Sequence, residues 1–309
     1  MALPVTHVHV RVPATSANLG PGFDTLGLAL ARYDELEVSV RDEPGAFVEV
    51  IGVGVGEVPT DETNLIVRSC AYAFEKLGQK MPGLHLRAHN NIAHGRGMGS
   101  SGAAIVGGIM AAKGLLSGTV EVSDETLLRL ATDLEGHPDN VAPALFGGLT
   151  IAWMGDSGPR FKKLMVHRGV SPLVFVPEFT MSTELARSLQ PSSVPHEDAI
   201  FNVSRSSLLV AALTQSPELL FEATEDKLHQ NYRAEAMPET NTIVTALRAA
   251  GFAAVVSGAG PSVLVLCSDP SQRQAAIDLV AKAQLTPWTP LMLAVDFKGA
   301  TVETSSSDG

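Results

Sequence analysis

The stretch "HGRGMGSSGAAIVGG", residues 94–108, contains the residue types best suited to chemistry in this sequence. Three glycines alternate with other residues, two adjacent serines follow, and a run of small apolar residues comes next. Glycine has no Cβ, so its backbone N–H can approach a ligand closely, and serine is preferred where a helix begins. The pattern predicts an anion site at the N-terminus of a helix that starts near Ser101.

Two well-known phosphate-binding patterns do not account for this loop. No lysine follows the glycines, as G-x-x-x-x-G-K-[ST] requires, so the loop is not a P-loop. The run "GRGMGSSG" has G-x-G spacings, but no ribose-binding acid follows at the distance that a dinucleotide-binding unit uses. Taken alone, the loop is equally consistent with a Gly/Ser turn in front of a packed helix.

Two further polar, glycine-rich loops have similar chemistry. The stretch "VPATSANLGPGFDTLGLAL" follows the first predicted strand and places Asn18 and Asp24 around two glycines. The stretch "VVSGAGPSVLVL" places Gly258 and Gly260 between two apolar strands. Three such loops at strand ends exceed what chain reversal needs, which favours a shared ligand site.

The segment "EGHPDN" adds candidate polar groups at Glu135, His137 and Asp139. Taken alone, Glu135 is a solvated charge at the end of a helix, and Pro, Asp and Asn are common turn residues. The tripeptide "HPD" also occurs in J-domain co-chaperones, where it joins two helices of a small basic module. This acidic chain of 309 residues is not such a module.

Composition limits the classes of protein to consider. With 309 residues, 45% apolar and 18% charged, the chain is long enough for two globular domains. The net charge of -11 argues against a nucleic-acid surface, although it allows one small phosphorylated ligand.

Cys70 and Cys267 form no metal-binding cluster, so we expect buried thiols rather than a disulfide or a structural zinc. No secretion signal or membrane-length apolar run is found, which predicts a cytoplasmic protein with no membrane partner.

Apolar alternation and helical periodicity predict mixed strands and helices in both halves of the chain. Residues 8–12 alternate as a half-buried strand, which Pro13 is expected to end. The first helix is expected to begin with Asp61 or Thr63 as its cap. The stretch "NVAPALFGGLTIAWMG" is expected to pass through a turn into a strand, and the tail "ETSSSDG" to be loose.

The glycine-rich motifs together resemble those of the GHMP kinases, a family that includes galactokinase, homoserine kinase and mevalonate kinase. Four motifs occur in the family order: "PATSANLGPGFDTLGLAL", "GRGMGSSGAA", "EGHPDNVAPALFGG" and "SGAGPSVLVL". Within the family, they are most similar to the homoserine-phosphorylating branch. One departure is Ala93, where the family's nucleotide loop usually has proline, which only stiffens the start of the loop.

The resemblance implies an α+β fold with two domains. Residues 1–165 would form an N-terminal nucleotide-binding domain resembling domain 2 of ribosomal protein S5. Residues 166–309 would form a C-terminal ferredoxin-like domain, with nucleotide and substrate between the two. Family members are often dimers, so the resemblance also allows a homodimer.

The resemblance also implies roles for individual residues. ATP would be held by His94, Gly95, Arg96, Gly97, Met98, Gly99, Ser100, Ser101, Gly102 and Ala103. Mg²⁺, which takes oxygen ligands, would be held by Ser101 and Glu135. The amino-acid substrate would contact Asn18, Asp24, His137, Asp139, Arg187 and Arg233. Arginine suits two-point binding of a carboxylate, although both arginines would otherwise be expected at the surface.

The implied reaction transfers the γ-phosphoryl group of ATP to the hydroxyl of L-homoserine, a step toward threonine. The transition state is loose, so positioning and charge stabilisation matter most. Asp24 would accept a proton from the hydroxyl or orient it, with Ser101 and Glu135 as the other catalytic residues. Whether any side chain is a true base stays open, because no Asp/Lys pair is evident. Two alternatives also stay open: a family kinase for mevalonate, shikimate or a sugar, and a family member that senses ligands without catalysis.

Overall fold

The structure is a computed structural model and describes residues 3–282 and 287–305. Its strands are β1 (His7–Ala17), β2 (Leu26–Arg41), β3 (Ala46–Gly52), β4 (Gly83–Asn90), β5 (Leu149–Gly155), β6 (Gly158–Leu164), β7 (Ser171–Pro177), β8 (Ala254–Val256), β9 (Val263–Cys267), β10 (Trp288–Met292) and β11 (Thr301–Ser305). Its α-helices are α1 (Leu65–Lys76), α2 (Ser100–Leu115), α3 (Asp124–Glu135), α4 (Pro138–Phe146), α5 (Thr183–Ser188), α6 (His196–Thr214), α7 (Leu220–Ala223), α8 (Gln230–Arg233), α9 (Pro238–Ala249) and α10 (Gln272–Lys282). Short 3-10 turns lie at Pro217–Leu219 and Ala234–Ala236.

The first sheet has the strand order β11-β1-β2-β4-β3, and β5 and β6 join it through β2. Its neighbouring strands are antiparallel except β3 and β4, which are parallel. The valines at positions 8, 10 and 12 of β1 are buried and alternate with more exposed residues, as the period of two predicts. The buried face of this sheet packs against α2 and α4, α1 packs on α2, and these elements share one apolar core.

Strand β1 continues beyond Pro13, so the predicted end of this strand is wrong. Pairing with β2 shifts in register between Pro13 and Ala14, where β2 contains two additional residues. An irregularity of this kind accommodates a residue that has no N–H to donate, and regular pairing then resumes as far as Ala17. The extra length carries the polar loop after β1 toward the second sheet.

The second sheet has the order β10-β7-β9-β8 and is antiparallel throughout. Helices α9 and α10 cover one face, where Ile243 and Leu247 pack in one cluster with Leu173 and Phe175 of β7. After β10 the chain returns to the first sheet, where Val295 forms a bridge to Leu30 and β11 pairs with β1. The last strand therefore belongs to the same sheet as the first.

Helix α1 begins with Asn64 as its N-cap, so the predicted caps Asp61 and Thr63 are wrong. The Asn64 side chain accepts a hydrogen bond from the amide of Ile66 and donates one to the carbonyl of Pro59. The Asp61 carboxylate instead accepts from the amide and the hydroxyl of Thr63, which forms a separate turn before the helix. Several neighbouring residues had cap-forming side chains, and the tertiary position of the chain decided between them.

Helix α2 contains paired glycines because it packs very closely against its neighbours. A Cβ on Gly108 would overlap the carbonyl of Ile66 in α1, and one on Gly107 would lie 2.6 Å from Leu36 Cδ1 of β2. Each glycine costs roughly 1 kcal/mol of helix propensity relative to alanine, and close contact with α1 and the sheet offsets that cost. These close contacts explain why glycine occupies both positions.

The segment that follows Glu135 differs from its prediction. Residues Pro138–Phe146 form helix α4 with proline at its first position, whereas a turn was expected there. Proline is well tolerated at that position because the first N–H of a helix has no partner within the helix. In the tail, Glu303–Ser305 belong to β11, and residues 306–309 lie outside the described residues.

Two expectations about the whole chain can be compared with the structure. Cys70 and Cys267 are buried free thiols, and burial raises the pKa of Cys70 to about 12. Among residues 3–282 and 287–305, no helix is both long and apolar enough to span a membrane.

Candidate active site

The glycine-rich loop before α2 adopts a conformation that glycine alone adopts readily. Gly95, Gly97 and Gly99 have φ angles of 62°, 72° and 71°, all in the left-handed region. Gly99 is the N-cap of α2 and makes no side-chain cap hydrogen bond, while Ser100 and Ser101 lie in the first turn. The first amides of the helix are thus left without a side-chain acceptor, at the positive end of the helix dipole.

The loop is also packed tightly from behind. A Cβ on Gly97 would overlap the carbonyl of Ser257, and a Cβ on Gly99 would overlap the hydroxyl of Thr15. The loop therefore fits between the end of β1 and the turn that follows β8. Neither segment is a neighbour of the loop in sequence.

Replacing Gly99 with alanine is expected to raise the KM for ATP by about tenfold or more, because the methyl group would displace Thr15 and the backbone is strained at positive φ. Steady-state kinetics with varied ATP measure this. Gly118→Ala is the matched control, because Gly118 has a similar φ of 79° but no atom lies within 4 Å of the position that a Cβ would take there. An unchanged KM in Gly99→Ala would contradict a role of this conformation in nucleotide binding.

Most of the predicted site residues line one cleft between the two sheets. They are Asn18, Asp24, Gly95, Arg96, Gly97, Gly99, Ser100, Ser101, Glu135, His137, Asp139, Arg187 and Arg233. The cleft therefore brings together residues from both halves of the chain. It is polar and has the helix N-terminus on one side and two arginines on the other.

Four predicted nucleotide-binding residues do not line this cleft. Met98 is fully buried beneath the loop, where its carbonyl accepts the amide of Thr15. Gly102 packs against α4. His94 and Ala103 line an adjacent pocket of about 730 Å³ whose other walls include Val58, Pro59 and Leu65. Ser100 and Ser101 border both cavities, so the two lie on either side of the start of α2.

Ser101 and Glu135 form the oxygen pair predicted to hold a cation. The Ser101 hydroxyl donates a hydrogen bond of 2.9 Å to Glu135 Oε2. Burial raises the pKa of the Glu135 carboxyl above its ordinary value, and the hydrogen bond from Ser101 offsets only part of that effect. Burial destabilises the ionised form of this carboxylate, and a cation beside it would stabilise that form. Hydroxyl and carboxylate oxygens are suitable ligands for Mg²⁺.

His137 and Asp139 form a hydrogen-bonded pair at the start of α4. Asp139 is 2% exposed and bonds to Nδ1 of His137. Burial lowers the pKa of the His137 imidazole, but the hydrogen bond and the charge of Asp139 outweigh it, so the pKa is raised overall. The pair therefore favours a protonated imidazole in the cleft.

Asp24 and Arg187 pair across the mouth of the cleft. Arg187 Nη2 lies 2.9 Å from Asp24 Oδ1, and Nη1 lies 3.3 Å from Oδ2. Asp24 has a φ of 53°, and its amide donates to Asn18 Oδ1 at 3.0 Å, which holds the loop in this unusual conformation. Both side chains of the pair are more than a third exposed, so a charged ligand can reach them.

Arg233 is buried, not at the surface, with 2% of its area exposed. Its guanidinium donates to the carbonyls of Ala186 at 3.2 Å and Gly258 at 3.4 Å. Burial lowers the pKa of the Arg233 guanidinium. No carboxylate within residues 3–282 and 287–305 lies within 4.0 Å of it, so it is a cation that an anionic ligand would compensate.

Arg96 lines the cleft, but its side chain mainly serves the structure. The guanidinium donates to three backbone carbonyls: His94 at 3.1 Å, Pro177 at 2.8 Å and Glu178 at 2.6 Å. It therefore ties the glycine-rich loop to the end of β7 in the second sheet. Any contact of Arg96 with a ligand would compete with these bonds.

The structure adds cleft residues that the sequence patterns do not place among the site residues. They are Met181, Ser182, Thr183 and Ala259. Three further lining residues, Asn140, Gly258 and Gly260, belong to motifs that were singled out in the sequence. Asn140, which belongs to the "EGHPDN" segment, accepts a hydrogen bond of 3.0 Å from the Thr15 hydroxyl. Ser182 and Thr183 give only the signal of a helix start, which by itself does not indicate a ligand.

Comparison with known families agrees with this arrangement. The family model for the GHMP kinases N terminal domain matches residues 64–148, and the model for the GHMP kinases C terminal region matches residues 208–284. The chain belongs to the GHMP kinase family. The family and the two-part α+β fold expected from the sequence are thus confirmed.

Relatives of high sequence identity narrow the comparison to one activity. The homoserine kinase of Leifsonia xyli subsp. xyli is 74% identical over 97% of this chain and 93% of that protein. The homoserine kinase of Clavibacter michiganensis subsp. michiganensis is 73% identical over 96% of this chain and 94% of that protein. Among solved structures, the homoserine kinase from Cytophaga hutchinsonii has a TM-score of 0.85 and 28% identity, covering 96% of this chain and 98% of that one.

Proposed function

We propose that this protein is an ATP-dependent homoserine kinase that converts L-homoserine to O-phospho-L-homoserine, a step toward threonine. The observation that carries the proposal is the cleft that joins the open N-terminus of α2 to Arg187, Arg233 and the acidic side chains of Asp24 and Asp139. The first can hold a triphosphate, and the second set can hold a zwitterionic amino acid. The 74% identity to a homoserine kinase supports the same substrate.

The nucleotide would bind across the start of α2. Its phosphates would accept hydrogen bonds from the amides of Gly99, Ser100 and Ser101, favoured by the helix dipole. Its base would lie in the adjacent pocket, where Val58 and Leu65 provide apolar walls. Ser100 and Ser101 border both cavities, which is where a nucleotide must pass from one to the other.

Mg²⁺ would be held by Ser101 and Glu135 together with phosphate oxygens. The bound ion would neutralise charge on the transferring phosphoryl group. The residues present fit this ion, because they supply a hydroxyl and a carboxylate oxygen, and Mg²⁺ commonly uses one or two carboxylates plus substrate phosphates.

Homoserine would exchange partners with the Asp24–Arg187 pair. Its carboxylate would bind Arg187 and the buried Arg233, and its ammonium group would bind Asp24. His137, Asp139 and Asn18 would complete the polar wall around the substrate. The hydroxyl would then point to the phosphates at the start of α2.

Catalysis in this site would depend on alignment of the substrate hydroxyl. Among the described residues that line the cleft, none is lysine, so the Asp/Lys pair that some family members use is not formed there. Asp24, which pairs with Arg187 in this structure, would orient the substrate through its ammonium group once that pair has opened. A loose phosphoryl transition state needs positioned groups more than a strong base.

The deciding experiment measures ADP release by the purified protein with ATP and Mg²⁺. L-Homoserine is compared with L-serine, L-threonine, mevalonate and shikimate, and the protein with no alcohol is the control. We expect strong turnover with L-homoserine alone. Turnover with another alcohol would contradict the substrate, and nucleotide binding without turnover on any alcohol would favour a sensor instead of an enzyme.

We further propose that the enzyme is a cytoplasmic homodimer whose two domains divide near residue 165, apart from β11, which returns to the first sheet. The two buried free thiols suit a reducing compartment.

The dimer is supported by three large apolar side chains at or next to the β5–β6 hairpin that are exposed, as a subunit contact would require. The exposed fractions are 45% for Trp153, 62% for Met154 and 65% for Met165. Sedimentation of the wild-type protein and of a Met154→Asp variant tests the dimer, which the variant should weaken.

A further inference from the structure

The turn between β8 and β9 connects the nucleotide loop with the substrate side of the cleft through two consecutive residues. Ser257 is fully buried, and its hydroxyl lies 2.6 Å from the carbonyl oxygen of Gly97 and 2.8 Å from Ser16 Oγ. The next residue, Gly258, offers its carbonyl to Asn18 Nδ2 at 2.9 Å and to Arg233 Nη1 at 3.4 Å.

The direction of the Ser257 hydrogen bonds follows from the chemistry of the groups. A carbonyl oxygen can only accept, so the single hydroxyl proton of Ser257 is donated to Gly97. The oxygen of Ser257 then accepts from the hydroxyl of Ser16. Ser257 thus links the end of β1 to the glycine-rich loop by hydrogen bonds. One of these bonds is made to Gly97, whose backbone is left-handed.

The backbone of this turn is itself restrained, so the two sides cannot move independently. The Ser257 amide donates to Ser262 at 2.8 Å, and the Ser257 carbonyl accepts from Gly260 at 2.8 Å. The Gly258 amide donates to the carbonyl of Ala17 at 3.1 Å. Movement of the nucleotide loop through Gly97 would therefore shift the Gly258 carbonyl that holds Asn18 and Arg233.

We propose that Ser257 is a positioning residue that couples nucleotide binding to homoserine binding. This inference rests on the proposed function, because it concerns the two substrates of that reaction. A nucleotide that orders the glycine-rich loop also fixes the Ser257–Gly258 turn, which places Arg233 for the substrate carboxylate. By linkage the effect is reciprocal, so homoserine tightens nucleotide binding by the same factor.

The test uses equilibrium binding of a non-hydrolysable ATP analogue with Mg²⁺, with and without saturating L-homoserine. In the wild-type protein we expect homoserine to tighten analogue binding by about fivefold or more. In Ser257→Ala the factor should fall below about twofold, and the KM for ATP should rise about tenfold through loss of the hydrogen bond. The reverse titration, with homoserine varied, should give the same factors.

Ser262→Ala is the matched control. Ser262 lies in the same turn, and its hydroxyl is buried but has no hydrogen-bond partner in the described structure. This variant should keep the wild-type coupling factor. Should Ser257→Ala fail to fold, Ser257→Cys keeps the side-chain volume and replaces the hydroxyl with a weak donor, and it should lose coupling in the same way.

The outcomes separate the inference from the proposed function. Wild-type protein that does not phosphorylate homoserine would overturn the function itself. Normal wild-type turnover with no coupling, or a Ser257→Ala variant that keeps full coupling, would overturn the inference alone. Equal loss in Ser262→Ala would also overturn it, since the effect would then belong to the turn in general.

Discussion

Replacing Glu135 with glutamine is expected to lower kcat about a hundredfold to a thousandfold and, at the same time, to raise the Tm at pH 8. The loss of rate follows because glutamine supplies no negative charge for Mg²⁺ beside Ser101. The gain in stability follows because burial penalises the ionised Glu135, whose pKa is raised. The two effects have opposite signs, so general damage to the fold cannot produce both.

The stability effect should depend on pH in a defined direction. A raised folded-state pKa means that the folded protein holds the Glu135 proton more tightly than the unfolded chain does. This contribution is present below the ordinary carboxyl pKa and is lost as pH rises through the raised folded value. Thermal unfolding at several pH values should therefore show the variant gaining about 2 °C over wild type at pH 8, and less toward pH 4.

Glu125→Gln is the matched control for this prediction. Glu125 lies in the first turn of the same helix, α3, and is exposed. It is far along the helix from Ser101, so the control should retain wild-type kcat and should not gain stability. Full activity of Glu135→Gln at low Mg²⁺ would contradict the metal role of Glu135.

Replacing Arg233 with methionine is expected to raise the KM for L-homoserine by about 30-fold or more while the KM for ATP changes by less than about threefold. Methionine keeps much of the side-chain length but removes the buried charge. Arg233 is 2% exposed and has no carboxylate within 4.0 Å among the described residues, so the substrate carboxylate would be its main counterion. Steady-state kinetics with each substrate varied in turn measure the two constants.

Arg248→Met is the matched control, because it also removes a partly buried guanidinium and its hydrogen bonds to backbone carbonyls. Arg248 is also held by backbone carbonyls, those of Phe221 at 2.9 Å and Ala254 at 3.3 Å, and burial also lowers its pKa. It does not line the cleft. A rise in the homoserine KM of similar size in both variants would contradict a specific role of Arg233 in the substrate site.

Local sequence patterns predicted much of the fold because they act over a few residues. Alternating valines placed β1, and the glycine-rich loop followed by serines placed the start of α2. The wrong predictions have causes that are not local. The register shift at Pro13 and the choice of Asn64 as a cap depend on partner strands and contacts that are distant in sequence.

The chemical class of the site could be inferred from residue types and their order along the chain. Glycine at alternating positions and serines at a helix start indicate an anion site, because backbone conformation and side-chain chemistry are properties of short segments. The kinase class came from the resemblance of four ordered motifs to those of the GHMP kinases. The same properties do not reveal exposure. The sequence around Arg233 is typical of a surface arginine. Its burial follows only from the packing of α8 against the β8–β9 turn and α5.

Tertiary packing alone decided which of these groups meet. Asp24 and Arg187 are 163 residues apart, and Asn18 and Gly258 are 240 apart, yet each pair is hydrogen-bonded. Such contacts depend on how two sheets pack and on the return of β11 to the first sheet. Since these arrangements arise from the summed burial of many side chains, no short segment encodes them, whereas the glycine-rich loop encodes its own conformation.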